Sequence, residues 1–124
     1  MYQILAIAGG GAIGAVLRYW MSTGVYAVVG RNFPYGTLAV NVLGSLLMGL
    51  LFVLLIERMA ANSLWRAALM VGLLGAFTTF STFSIETLNL MEEGAYGRAL
   101  INVALSVLLC VAAAWLGVKL GRQL

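Results

Sequence analysis

"GAFTTFSTFS", residues 75–84, sets five hydroxyls (Thr78, Thr79, Ser81, Thr82 and Ser84) among three phenylalanines (Phe77, Phe80 and Phe83) in an otherwise apolar neighbourhood. In a continuous helix Phe80 and Phe83 share a face at i and i+3, and the hydroxyls can bond back to their own i−4 carbonyls and bend the helix. The density of five hydroxyls within residues 78–84, following Gly72 and Gly75, argues against an uninterrupted helix. A break at membrane depth is tolerated only where the backbone is buried in protein or lines a cavity. The stretch is therefore either a bent helix in a bundle core or the wall of a pore.

The surroundings decide that this is membrane depth. The chain has 124 residues, 63% of them hydrophobic and 9% charged, which is more apolar surface than a soluble domain of this size can bury. A spanning helix needs roughly 20 mainly apolar residues. Four segments qualify, at about 3–29, 35–56, 67–91 and 99–119, so residues 1–124 form one all-α integral membrane domain with a broken third helix. Pro34, the only proline, suits the start of the second span because its φ is fixed and it lacks an N–H. Met1 is followed by only Tyr2 and Gln3 before the apolar run, without the basic region of a secretory signal, so the first segment is expected to remain in the mature protein.

Orientation follows the Lys and Arg distribution. One side holds Arg58, Arg66, Lys119 and Arg122; the other holds Arg31 and Arg98, joined by Arg18 if it reaches outward. So weak a bias is compatible with insertion both ways round, and that would permit an antiparallel homodimer with its two-fold axis in the membrane plane.

The same inventory excludes several functions. The net charge of +3 comes from scattered single residues with no basic stripe, so nucleic acid is not an expected partner. One cysteine, Cys110, rules out an intrachain disulfide and a cysteine metal cluster, and the absence of histidine removes the commonest acid–base catalyst. An enzyme is not expected. Cys110 and the six methionines read as packing residues.

"GGGAIG" at 9–14 fits the dinucleotide glycine pattern through Gly9, Gly11 and Gly14, but no strand precedes it and no acid follows at the ribose distance. Gly10 and Gly14 instead make G-x-x-x-G, which lets helix backbones approach closely. Arg18 lies well inside the first span, where a charge either faces a polar interior or snorkels to the interface beside Tyr19 and Trp20. Asn41 lies about two turns into the second span and serves either as glue between helices or as a donor to a ligand, its NH₂ suiting an anion. Glu86, directly after the hydroxyl cluster, is a coupling carboxylate or a polar residue of a water-filled vestibule. Hydroxyls, aromatic ring edges, which are electropositive, and the Asn41 amide together make a donor-rich path for a small anion.

"GTLAVN" at 36–41, "GLLGAFTTFSTFSIET" at 72–87 and the Arg18 segment "GAVLR", set in four short spans, resemble the fluoride channels of the Fluc (CrcB) family over nearly the whole chain. The resemblance implies an antiparallel, dual-topology homodimer with two fluoride pores that exports fluoride passively from the microbial cytoplasm, a multi-pass protein of the cell (inner) membrane in contact with lipid. It implies further that Phe80 and Phe83 form the aromatic lining of the pore, that Asn41 is the amide near the permeating ion, and that Ser81 and Thr82 are polar pore-side neighbours. Arg18 matches the family's first-helix arginine. Gly75 and Thr78 would offer backbone carbonyls to a structural sodium ion on the two-fold axis. The fourth span departs from some relatives, with Cys110 and Ala114 following Ser106 at successive turns and Asn102 where certain relatives carry tyrosine.

Two other readings use the same four spans. A proton-coupled small multidrug transporter needs a carboxylate deep in a span, and Glu86 is the only spanning acid. A non-transporting assembly subunit would use Gly10 and Gly14, but leaves the hydroxyl–aromatic cluster without a purpose.

Overall fold

The computed structural model describes residues 1–58 and 62–124. Among these, four helical spans are long and apolar enough to cross a membrane: Tyr2–Val29, Tyr35–Arg58, Ser63–Glu92 and Tyr96–Gln123. Met59, one of the methionines read as packing residues, lies outside the described residues.

The third and fourth spans run beyond their sequence-based limits, for a local reason in each case. Asn62 caps the third span, its Oδ1 accepting from the backbone N–H of Leu64 at 3.0 Å and of Trp65 at 3.2 Å, so the helix starts at Ser63. The fourth continues past Lys119 because long cationic side chains lie along apolar surface: the Lys119 ammonium sits 4.9 Å from the Trp115 ring centroid. The connections are tight. Gly30 ends the first span with φ 87° and donates its N–H to the Tyr26 carbonyl at 2.9 Å. After Glu93 the chain turns through a Schellman motif, with Gly94 at φ 81° donating to Met91 at 3.0 Å and Ala95 to Leu90 at 2.8 Å.

Glycines pair the spans. A Cβ on Gly10 would strike the Ala68 carbonyl, one on Gly14 the Leu73 carbonyl, and one on Gly72 would lie 2.7 Å from the Ile7 carbonyl. The first span and residues 67–74, which are π-helical, therefore meet backbone to backbone, and Gly10 and Gly14 are the close-packing residues that the G-x-x-x-G spacing predicts. Gly49 meets the Ala114 carbonyl and Gly117 the Leu46 carbonyl, closing the second span on the fourth in the same way. Gly117→Val is expected to force these helices apart and cost about 1–3 kcal/mol. The check is a lower temperature for loss of monodisperse elution in detergent.

The interior is correspondingly small: Val40, Val53, Leu74 and Asn102 are its fully buried side chains. Much of the first and fourth spans stays exposed along their length, including Trp20, Leu108 and Trp115, and so do Val71 and Phe80 on the third. In a bilayer that surface is left for lipid or for another protein surface.

Candidate functional site

The site is built where the third span changes direction. Helix ends at Phe77, the next two residues are extended (Thr78 φ −88°, ψ 159°; Thr79 φ −150°, ψ 120°), and helix resumes over Phe80–Glu92. Several of the polar groups freed here have partners, as burial in an apolar medium favours. Thr78 donates its N–H and its hydroxyl to the Leu74 carbonyl, both at 3.1 Å. Thr79 caps the following helix, its Oγ1 accepting from the Thr82 N–H at 3.2 Å. That hydroxyl also donates to Thr82 Oγ1 at 3.0 Å and lies 3.3 Å from Ser81 Oγ.

Asn41 completes the arrangement. Its Oδ1 accepts from the Thr79 N–H at 2.7 Å and its Nδ2 donates to the Thr79 carbonyl at 3.0 Å, so one amide satisfies both backbone groups of one extended residue, as a neighbouring strand would. One of the two Nδ2 protons remains for another acceptor. The bonds to Thr79 are the tie between helices, and the second proton is the one that the donor reading would use.

Phe80 and Phe83 lie with ring centroids 5.4 Å apart and planes tilted by 43°, and Phe80 is 79% exposed. Both line a groove of about 420 Å³ together with Asn41, Thr78, Thr79 and Ser106. Cys110 and Ala114 continue its wall along the fourth span, so the turn-by-turn series that begins at Ser106 does face the groove, with a thiol and a methyl in place of further hydroxyls. Ser81, Thr82 and Arg18 are not among the lining residues. Arg18 neither snorkels outward nor faces the groove: its Nε donates to the Ala76 carbonyl at 3.0 Å, setting a cation at the C-terminal end of the helix that stops at Phe77.

Gly75 and Thr78 acquire a distinctive property from these bonds. The N–H groups that would bond their carbonyls in a continuous helix belong to Thr79 and Thr82. The first is taken by Asn41 and the second by the Thr79 hydroxyl. Both carbonyls therefore lack their helical donors.

Two further networks escaped sequence reasoning. Asn102, only 1% exposed, donates to Thr87 Oγ1 at 2.8 Å, Thr87 donates to the Phe83 carbonyl at 2.7 Å, and Ser106 Oγ approaches Asn102 Oδ1 at 3.5 Å. The fourth span is thereby tied to the helix that carries the phenylalanines. The available signal was two polar residues, Asn102 and Ser106, one turn apart in an apolar helix. In the second network the Tyr26 hydroxyl donates to Glu86 Oε2 at 2.8 Å and lies 3.4 Å from Thr37 Oγ1. Glu86 lines a polar cavity of about 310 Å³ that also takes in Arg31, Asn32, Glu93 and Arg98. Arg31 stacks 4.5 Å over the Tyr26 ring, and Arg98 donates to the Asn32 carbonyl at 2.9 Å.

Comparison with known proteins fits this architecture. The family described as "CrcB-like protein, Camphor Resistance (CrcB)" matches residues 5–118. The chain is similar to the fluoride-specific ion channel FluC of Magnetococcus marinus, with 58% identity over 120 residues that cover 97% of this chain and 98% of the relative. It is similar to the protein of the same name from Coxiella burnetii, with 55% identity over 125 residues and the whole of both chains covered. A longer relative of that name, from Methylococcus capsulatus, is 57% identical over 122 residues; 98% of this chain matches, spanning about half, 54%, of that protein. With the family matched over all four spans, the chain belongs to the CrcB family and is a multi-pass membrane protein.

Proposed function

We propose that this chain is a fluoride-selective channel, not an enzyme, that lets fluoride leave the microbial cytoplasm across the cell (inner) membrane. The observation that carries the reading is the groove that Phe80 and Phe83 line together with Asn41, whose amide has one proton beyond its bond to Thr79, and with Thr78, Thr79 and Ser106. Fluoride holds its water tightly, so a pore must replace hydration with several weak donors at once, none strong enough to trap the ion. Ring edges are donors of that strength, and so is a hydroxyl that turns to the ion from its partner within the protein. Hydrofluoric acid enters as a neutral molecule and dissociates inside, and a negative-inside potential then drives the anion out. The relatives named fluoride-specific ion channels support the choice of ion.

The working unit in this reading is an antiparallel, dual-topology homodimer with two pores. The groove lies open beside an exposed Phe80, which a second copy would cover, and the loop charges, four basic residues on one side against Arg31 and Arg98 on the other, bias the orientation only weakly. The third span is a broken helix whose halves are held by Asn41 and Arg18, and Ser81 and Thr82 are polar neighbours of the pore. A structural sodium ion suits the Gly75 and Thr78 carbonyls, which have lost their helical donors. A hard cation takes oxygen ligands, and there it would fix the break by its charge.

Efflux from liposomes containing the purified protein, read with a fluoride-selective electrode and repeated for chloride, tests the function. Fast fluoride loss without chloride loss is expected; no fluoride loss from folded dimers overturns it. Tagged termini should be reachable from both membrane faces in one population, and a single location removes dual topology.

A further inference from the structure

The Glu86 carboxylate is anomalous in a path for anions. It is the only acid inside the spans away from their charged ends, and it follows Phe83 on the same helix at i+3. Thr37, beside Tyr26, precedes Asn41 at i+4 on the second span. The cluster of Tyr26, Thr37 and Glu86 therefore lies about one helical turn, or 5.4 Å, beyond the Asn41 and Phe83 level, on the two helices that also carry the groove. Glu86 lines the polar cavity next along these helices, and an anion that leaves the groove through that cavity passes this carboxylate.

Among the described residues, the carboxylate has one hydrogen-bond donor, the Tyr26 hydroxyl on Oε2. Oε1 is the one buried side-chain polar atom among the described residues with no partner. The charged neighbours that line the same cavity are otherwise occupied or of like sign: Arg31 is stacked on the Tyr26 ring, Arg98 donates to the Asn32 carbonyl, and Glu93 is another acid. A single hydroxyl thus restrains a carboxylate in the polar cavity about one turn beyond the groove, and the Arg31 guanidinium stacked on its ring braces that tyrosine.

We infer that Tyr26 is a positioning residue for permeation: by holding Glu86 through Oε2 it keeps a negative charge tied toward the first span and out of the anion's route. The inference rests on the channel reading. A carboxylate released from Tyr26 regains side-chain freedom and carries its charge into the vestibule, where like charge lowers the local concentration of the permeating ion. Neutralising Glu86 removes that effect, so the consequence of losing the hydroxyl depends on the charge that it restrains.

The test is fluoride efflux from liposomes containing full-length wild type, Tyr26→Phe, Glu86→Gln and the double variant, each eluting as the wild type does. Tyr26→Phe is expected to slow efflux about tenfold. The double variant is expected to match Glu86→Gln, a suppression that a purely packing role for Tyr26 would not produce. Unchanged efflux in Tyr26→Phe overturns the inference, as does a double variant as slow as Tyr26→Phe. If Tyr26→Phe does not assemble alone, a double variant slower than an intact Glu86→Gln overturns it by the same comparison. Wild type that passes no fluoride overturns the channel reading itself, and this inference with it.

Discussion

Asn41→Asp is expected to leave the protein assembled and nearly to abolish fluoride efflux. The aspartate keeps one oxygen to accept the Thr79 N–H, the shorter of the two Asn41 bonds at 2.7 Å, so the backbone between Phe77 and Phe80 retains an anchor. It loses the donor to the Thr79 carbonyl and the second amide proton of a residue that lines the groove. It also adds a negative charge beside the ion. At about 5 Å and an effective dielectric of about 20 the repulsion is about 3 kcal/mol, a loss of roughly a hundredfold or more in flux. Asn41→Ala separates the two jobs. It adds no charge but leaves both Thr79 backbone groups without partners, at about 1–3 kcal/mol each, so its loss should show first in assembly. Efflux at the wild-type rate from assembled Asn41→Asp would exclude the groove as the ion's route.

The four spans were legible because membrane residence is written in composition, and a run of apolar residues needs no partner to be recognised. Their ends were less so, since Asn62 reads as a loop residue until its side chain is seen capping the helix, and Lys119 reads as a boundary until it is seen lying on Trp115. The opening stretch declared its special backbone through hydroxyl density, and Phe80 with Phe83 through spacing. What holds them in place did not show. The partners of Asn41, Arg18 and Tyr26 lie 38, 58 and 60 residues away in the chain; Asn41 and Arg18 read as polar residues in need of a partner or an interface, and nothing in the sequence singled out Tyr26. Polar residues in a membrane protein announce that a partner exists, because an unpaired group is too costly there; they do not announce which one. Asn102 is the clearest case, read as a departure in an uncertain track and found as the buried tie between Ser106 and the helix carrying Phe83.

Replacing Phe80 or Phe83 by isoleucine should slow fluoride efflux about tenfold while elution in detergent stays that of the wild type, since a ring contact contributes about 1–1.5 kcal/mol beyond its burial. Phe80 is the sharper of the two probes. It is 79% exposed in the single chain, so within that chain its ring contributes little packing that a substitution could disturb, and its loss reports on the ion more than on the fold. Phe83 is more enclosed, and its backbone carbonyl accepts from Thr87, which Asn102 holds in turn. Isoleucine preserves that carbonyl and much of the side-chain volume, so the substitution removes the electropositive ring edge and little else. Chloride efflux serves as the internal reference. An aliphatic side chain that simply widened the groove would raise chloride passage, whereas loss of a fluoride-stabilising edge lowers fluoride flux and leaves chloride excluded. Fluoride efflux at the wild-type rate in both variants would remove the rings from the ion's path and leave the hydroxyls and Asn41 as its only donors.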